Sequence, residues 1–249
     1  TDVLDLLHTL ALDGWRFWLE AGRLRYRAPK TAATAAILEQ LKQHRAAVID
    51  LLTAAPDSLD ICPLAYGQTA LWFLWKLAPA SHAYNQSLPL RIDGAAADGD
   101  PARWHAACQA LVARHPLLRT IYPTRHGQLY QQVLAAANPV WHETATGGWD
   151  SDRVAAALAA AHAAPFDLEH APPLRCHWFA DAAGPGCHIL LITLHHIACD
   201  GWSLELMRRE LNVLATGGDA ALSPAPAFTY HDYVRWQRAL LELSLIHIS

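Results

Sequence analysis

The 249-residue chain is 53% hydrophobic and has a formal net charge of -4, which is enough apolar content for one or two packed domains and no charge excess for nucleic acid. Its five cysteines (Cys62, Cys108, Cys176, Cys187 and Cys199) are odd in number and include no CxxC pair, which excludes a disulfide scaffold or zinc ribbon and points to free thiols in a reducing compartment. No charged-then-apolar leader opens the sequence and no apolar run reaches about 18 residues, so a cytoplasmic chain with no membrane partner is expected.

In residues 1–55, Val3, Leu6, Leu7 and Leu10 recur at helical spacing and Asp13-Gly14 ends that helix. Two partly alternating runs, 15–19 and 23–27, flank Glu20-Ala21-Gly22 and read as a β-hairpin. Thr34 is positioned to cap a helix whose apolar side is Ile37, Leu38, Leu41, Val48, Leu51 and Leu52, with a break near His44. Arg23, Arg25 and Arg27 fall on one face of the second hairpin strand, with Lys30 just beyond. They make either a solvated edge whose charges resist aggregation or a docking edge that accepts an acidic peptide as an added strand. The run Gly22-Arg23-Leu24-Arg25, then Ala28-Pro29-Lys30 with flanking helices, resembles the N-terminal docking domain of the tubulysin-synthetase type. That resemblance implies a small α-β-β-α-α unit, often dimeric, that precedes condensation domains in hybrid polyketide–peptide lines. It also implies that Arg23, Arg25, Arg27 and Lys30 receive the C-terminal docking peptide of an upstream synthase, and that a homodimer forms through this unit.

Residues 56–61 read as a linker, and a second domain is expected over 62–242. It opens with an amphipathic helix around Gln68, Leu71, Trp72 and Leu74, followed by a strand over 87–93, a surface loop over 94–101 and a helix over 104–113. The helix leads into Arg114-His115-Pro116-Leu117-Leu118-Arg119-Thr120. A strand is expected over 128–134 and an Ala-rich helix over 151–162, then Pro165-Phe166-Asp167-Leu168. Runs 174–180 and 187–195 flank a Gly184-Pro185-Gly186 turn signal and are expected to be antiparallel neighbours. Leu204, Leu206, Met207, Leu211 and Leu214 form a further amphipathic helix, and a Gly/Pro loop over 216–227 precedes Tyr230-His231-Asp232-Tyr233-Val234-Arg235-Trp236.

The stretch that carries chemistry is the strand over 187–195 with the seven residues that begin at its end, His195-His196-Ile197-Ala198-Cys199-Asp200-Gly201. An imidazole at a strand end, next to a tight turn, suits acid–base work near neutral pH. Adjacent strand residues point to opposite faces, so one histidine serves a cleft and the other packs. Asp200, if turned inward, needs a cation; Gly201 leaves room for the backbone to turn and for substrate to approach.

These seven residues resemble the HHxxxDG signature of condensation domains from nonribosomal peptide synthetases, in the wider family of chloramphenicol-acetyltransferase-like acyltransferases. Gln68, Leu71, Trp72 and Leu74 match that family's first core motif, SxAQxRLWxL, which departs here at Tyr66-Gly67 and at Ala70, where arginine is usual. Residues 114–120 resemble its second motif, RHxxLRT; 165–168 its PFDL stretch; and 230–236 its fourth motif, YxDFAxW. The resemblance implies an α/β (α+β) chain: the docking domain followed by one lobe of a chloramphenicol-acetyltransferase-like condensation fold, with later motifs absent. Residues 243–249 match nothing in the family's pattern and are expected to be a non-native tail. It further implies amide-bond formation between a carrier-bound acyl or peptidyl thioester and a carrier-bound aminoacyl amine, with the fragment inactive alone. His196 orients the amine or takes its proton, and the Gly201 N–H assists at the oxyanion. His195 and Asp200 are structural, and Arg114, with Arg119 second, supplies the cation for Asp200. No cofactor is bound directly; phosphopantetheine arms of the donor and acceptor carrier proteins deliver the substrates.

Other chemistries fare worse. A metal site from His195, His196 and Cys199 lacks a second well-spaced ligand pair. Cys199 as nucleophile sits at a variable position of the signature, and Ser203 has no nucleophile elbow. No phosphate-binding glycine run is present. An epimerisation domain shares the two histidines but is disfavoured by the docking unit and the Asp-Gly-Trp-Ser run. A heterocyclisation domain would carry aspartates there. A docking or scaffold fragment without activity is the reading from a different class.

Overall fold

The computed structural model describes residues 3–29, 34–54, 61–93, 99–125, 128–134, 136–182, 184–217, 222–224 and 228–246. Lys30, the linker apart from residue 61, and positions 94–98 of the expected loop lie outside them. In chain order the elements are α1 (Val3–Leu12), β1 (Arg16–Glu20), β2 (Arg23–Arg27), α2 (Ala35–Gln43), α3 (Arg45–Ala54), β3 (Ile61–Cys62), α4 (Tyr66–Leu77), β4 (Asn85–Asp93), α5 (Pro101–Arg114), β5 (Thr120–Ile121), β6 (Thr124–Arg125), β7 (Gln128–Leu129), β8 (Gln131–Val133), β9 (Val140–Ala145), α6 (Ser151–Ala163), β10 (Leu174–Ala180), β11 (Cys187–His195), α7 (Gly201–Thr216) and α8 (Tyr230–Ile246). Among the described residues no helix is long and apolar enough to cross a membrane. The five cysteines are buried free thiols.

Packing divides the chain into two compact units: 1–65 with 120–135 and 228–249, and 66–119 with 136–227. The N-terminal helices and hairpin therefore group with β3, β5, β8 and α8. The last helix runs through Ile246, past residue 242.

In the first unit, Leu7, Leu10, Trp15, Leu41, Val48 and Leu52 form a core under the hairpin. The break near His44 falls between α2 and α3, and the Thr34 hydroxyl accepts from the Ile37 N–H, so the cap is where the sequence placed it. The hairpin closes with Glu20 opposite Arg23, leaving Ala21 and Gly22 as a two-residue loop, both at positive φ (49° and 71°). That is the primed turn matching strand twist, and it favours Asn-Gly; alanine is strained at its first position. Ala21→Asn is accordingly expected to stabilise the fold by about 0.5–1 kcal/mol, read as a raised urea midpoint at unchanged slope.

In the second unit a four-stranded sheet runs in the order β4-β11-β10-β9, antiparallel except for β9 beside β10. Strand β9 has no counterpart among the expected elements. Its inward positions, Trp141 and Thr144, are three apart, so it lacks the period of two expected of a half-buried strand. On one face α5 and α7 pack through Trp104, Cys108, Leu111, Met207 and Leu211 onto Cys176, Trp178, Leu190, Ile192 and Leu194. On the other, α6 lays Ala157, Leu158 and Ala161 against Phe179, Ile189 and Leu191. With both faces covered, β11 is buried almost throughout, which is why its sequence is a continuous apolar run.

Candidate functional site

Strand β11 ends at His195, and the chain turns there, the Ala198 N–H donating to the His195 carbonyl at 3.0 Å. The two histidines then part company. His195 is 2% exposed, with the Phe166 and Tyr84 rings around it, and its Nδ1 accepts from the Ile197 N–H. Burial first, and then the neighbouring His196, push its pKa from the ordinary 6.5 down to about 4, so it is neutral and structural.

His196 is half-buried, and its backbone N–H donates to the Tyr84 carbonyl at 2.8 Å. Its Nδ1 lies 2.5 Å from the Cys199 carbonyl oxygen and 2.9 Å from the Gln86 side-chain amide. A backbone carbonyl only accepts, so Nδ1 carries a hydrogen, and in the neutral form of the ring the lone pair lies on Nε2. Among the described residues Nε2 has no hydrogen-bond partner.

Asp200 departs from expectation. It is exposed and caps α7, its carboxylate accepting from the Ser203 N–H at 2.8 Å and the Ser203 hydroxyl at 2.7 Å. Those bonds, the hydroxyl first, hold its pKa below the ordinary carboxylate value. The positive end of α7 stabilises its charge, so it needs no arginine. Arg114 is correspondingly not its partner. The Arg114 Nε bonds Glu210 at 3.2 Å and its Nη2 bonds the Ser223 carbonyl at 2.6 Å, because α5 packs beside the middle of α7 rather than its start. His115 binds the other oxygen of Glu210, so the Arg-His pair clamps one buried carboxylate. Arg119 ends the short 3-10 turn over 116–119. Gly201 has no left-handed backbone, and a β-carbon there would meet nothing within 4 Å, so the turn itself does not require glycine. It opens α7, where backbone N–H groups are unsatisfied by the helix.

Three contributors escape a reading of the sequence. Gln68 is buried and donates to the Ile197 carbonyl at 3.2 Å, tying α4 to the histidine turn. Gln86 touches His196, and Glu210 holds the Arg-His motif. Gln68 belongs to the first core motif, and that is the available signal. The Cys199 thiol is buried, and desolvation, with Asp200 adding, pushes its pKa up to about 12, which leaves no thiolate for nucleophilic work.

The docking hairpin gains residues too. Cross-strand pairing places Arg16, Trp18 and Glu20 on the same face as Arg27, Arg25 and Arg23. Trp18 is 44% exposed; Arg25 bonds Glu20 at 2.8 Å, and Arg16 bonds Asp232 at 3.3 Å.

The buried His195 and the half-buried His177 make stability depend on pH. His177, stacked on His142 at 4.6 Å, is also held near 4, by burial first and then by the charges of His142 and Arg175. Both His177 and His195 have folded pKa values below the ordinary 6.5, so the unfolded chain takes protons the native state refuses. Their contribution to stability is complete above about pH 6.5 and declines as pH falls toward 4. The urea midpoint is expected to fall between pH 7.5 and 5, and less steeply in His177→Phe, which keeps the ring stack without the titration.

The candidate site is thus a mixed sheet whose inner strand ends at a half-buried imidazole, with Nε2 unpartnered among the described residues, next to a helix N-terminus. The family model for the condensation domain matches residues 58–245, and that for the TubC N-terminal docking domain matches residues 3–53. The chain belongs to the condensation-domain family of nonribosomal peptide synthetases and carries a docking domain at its N-terminal end. It is 38% identical over 198 residues to the phosphinothricin tripeptide synthetase PhsC of Streptomyces viridochromogenes, covering 75% of this chain and 17% of that protein. The X-domain from teicoplanin biosynthesis, in complex with OxyB, superposes with a TM-score of 0.62 at 28% identity, over 72% of this chain and 38% of that one. The EpoB cyclization-docking bidomain of Sorangium cellulosum superposes with a TM-score of 0.57 at 19% identity, over 93% of this chain and 48% of that one, a likeness of fold. The chain thus spans less than half of each of these relatives, and its fold corresponds to one lobe of the condensation fold.

Proposed function

We propose that this chain is part of a nonribosomal peptide synthetase, in a hybrid polyketide–peptide line, whose condensation domain joins a carrier-bound acyl or peptidyl thioester to a carrier-bound aminoacyl amine. The observation that carries the reading is the tautomer of His196: Nδ1–H is committed to the Cys199 carbonyl and Nε2 is left without a partner among the described residues. The amine nitrogen bonds the thioester carbonyl carbon, His196 Nε2 orients the amine or accepts its proton, and the C–S bond breaks. The departing phosphopantetheine thiolate recovers that proton. The Gly201 N–H, at the positive end of α7, assists at the oxyanion, while His195 and Asp200 fix the turn. The test is transfer between loaded donor and acceptor carrier proteins by the full-length parent and its His196→Ala variant. With one lobe, the chain alone binds partners without turnover, and the setting is cytoplasmic.

In the same reading the hairpin face docks an acidic C-terminal peptide of the upstream synthase. Arg16 and Arg27 stand directly opposite each other, a like-charge pair that Asp232 partly offsets through Arg16 and that an acidic ligand relieves further. Arg25 exchanges Glu20 for that ligand at little cost, since exposed pairs are worth about 0–1 kcal/mol. Reversing Arg23, Arg25 and Arg27 to glutamate is expected to weaken capture of such a peptide by at least about tenfold, with the loss shrinking as salt rises. Fluorescence anisotropy measures it, and unchanged affinity rejects the surface. Homodimerisation through this unit is part of the proposal and is read by sedimentation.

A further inference from the structure

Strand β4 presents Gln86, Leu88, Leu90 and Ile92 on one face, the first three opposite Leu194, Ile192 and Leu190. The three apolar residues pack against the core shared with α5 and α7. Gln86 is therefore an amide at the head of an apolar column, a placement that costs free energy unless its polar atoms are bonded. What it bonds is the active-site turn: it lies 2.9 Å from His196 Nδ1 and 3.7 Å from Cys199 Sγ. Its neighbours look the other way. The Asn85 amide donates to the His162 and Ala164 carbonyls, and the Ser87 hydroxyl meets His162 and Thr193. The Tyr84 carbonyl takes the His196 backbone N–H, so residues 84–86 hold residue 196 by main chain and side chain together.

We propose that Gln86 is a positioning residue for transfer: its amide oxygen shares the Nδ1–H of His196 with the Cys199 carbonyl and so fixes the ring's rotation and tautomer. A half-turn of the amide puts its oxygen at Nδ1 and its NH2 at the Cys199 sulfur, so the Nδ1–H gains a second acceptor and one amide N–H gains a weak one. The inference rests on the role given to His196. Fixing one nitrogen of a ring fixes the other, so Gln86 acts on Nε2 without touching substrate.

Two readouts test it. In this chain with 15N-labelled histidine, at alkaline pH, long-range proton–nitrogen correlations are expected to show His196 with a protonated Nδ1 and a bare Nε2. Gln86→Met, which keeps volume and loses the acceptor, is expected to draw the two nitrogen shifts together. Gln86→Asn, too short to reach, does the same, and Gln86→Glu restores the separation. In the full-length parent, Gln86→Met is expected to lower kcat about tenfold at unchanged KM, with recovery in Gln86→Glu. If Gln86→Met and Gln86→Asn keep both the separation and kcat while His196→Ala abolishes transfer, the Gln86 role is rejected and that of His196 stands. Normal transfer by His196→Ala rejects both.

Discussion

Alanine at position 196 of the full-length synthetase is expected to lower amide formation by roughly 10²–10⁴-fold while leaving the fold intact, the range for loss of a positioned general base. The side chain is half-buried at the start of a turn, and the backbone bonds there, from His196 N to Tyr84 O and from Ala198 N to His195 O, do not need the ring. His195→Ala is expected to behave differently. It vacates a site that is 2% exposed between Phe166 and Tyr84, so it lowers the urea midpoint as well as the rate. His196→Gln separates orientation from proton removal, because an amide oxygen can hold the attacking amine but has no basic lone pair near neutral pH. A rate within about tenfold of wild type assigns the effect to orientation; a rate as low as that of alanine assigns it to proton transfer. Product formation by His196→Ala at the wild-type rate, measured in the carrier-to-carrier assay, overturns the assignment.

How much of the fold and site is legible in the residues depends on the range of the interactions. Local signals are faithful: Thr34 caps its helix, the α2–α3 break falls at His44, and β10 and β11 pair across their turn. Each rests on neighbours a few residues apart. The alternation argument also separates the two histidines, although β11 stops at the first of them, so His196 is aimed by a turn rather than by the strand. Partners distant in the chain are out of reach. Pairing Asp200 with Arg114 treats the carboxylate as buried and alone, whereas an aspartate immediately before a helix is first of all a cap. The residues that bind across the fold, Gln68 to position 197 and Gln86 to position 196, sit 129 and 110 residues from their partners. Their mark in the sequence is a polar residue where the pattern calls for an apolar one. Glu210 carries the same mark, three residues after Met207 and one before Leu211 on the buried side of α7.

Glu210→Ala is expected to be among the most destabilising substitutions in the second unit, by about 3–5 kcal/mol, the range for removing one partner of a buried ion pair. The Glu210 side chain is 11% exposed, and those of Arg114 and His115 are 16% and 21% exposed. One carboxylate thus answers two donors from successive residues at the end of α5, and its loss leaves a guanidinium short of water and of a counter-charge. Glu210→Gln keeps an acceptor for Arg114, turns an NH2 toward His115 and drops the charge, so a loss of about 1–2 kcal/mol is expected. Arg114→Met with Glu210→Leu removes the charge and its main partner together and replaces them with apolar bulk, and it is expected to cost less than Glu210→Ala alone, because a buried pair is stabilising mainly by contrast with its broken half. Urea denaturation of the chain and the three variants measures all of this. The site adds a second consequence. The clamp fixes α5 to the middle of the helix that Asp200 caps and Gly201 opens, so Glu210→Gln in the full-length parent is expected to lower kcat beyond what its unfolded fraction explains. A Glu210→Ala midpoint within about 0.5 kcal/mol of wild type would show that the Arg-His motif is held by something other than this carboxylate.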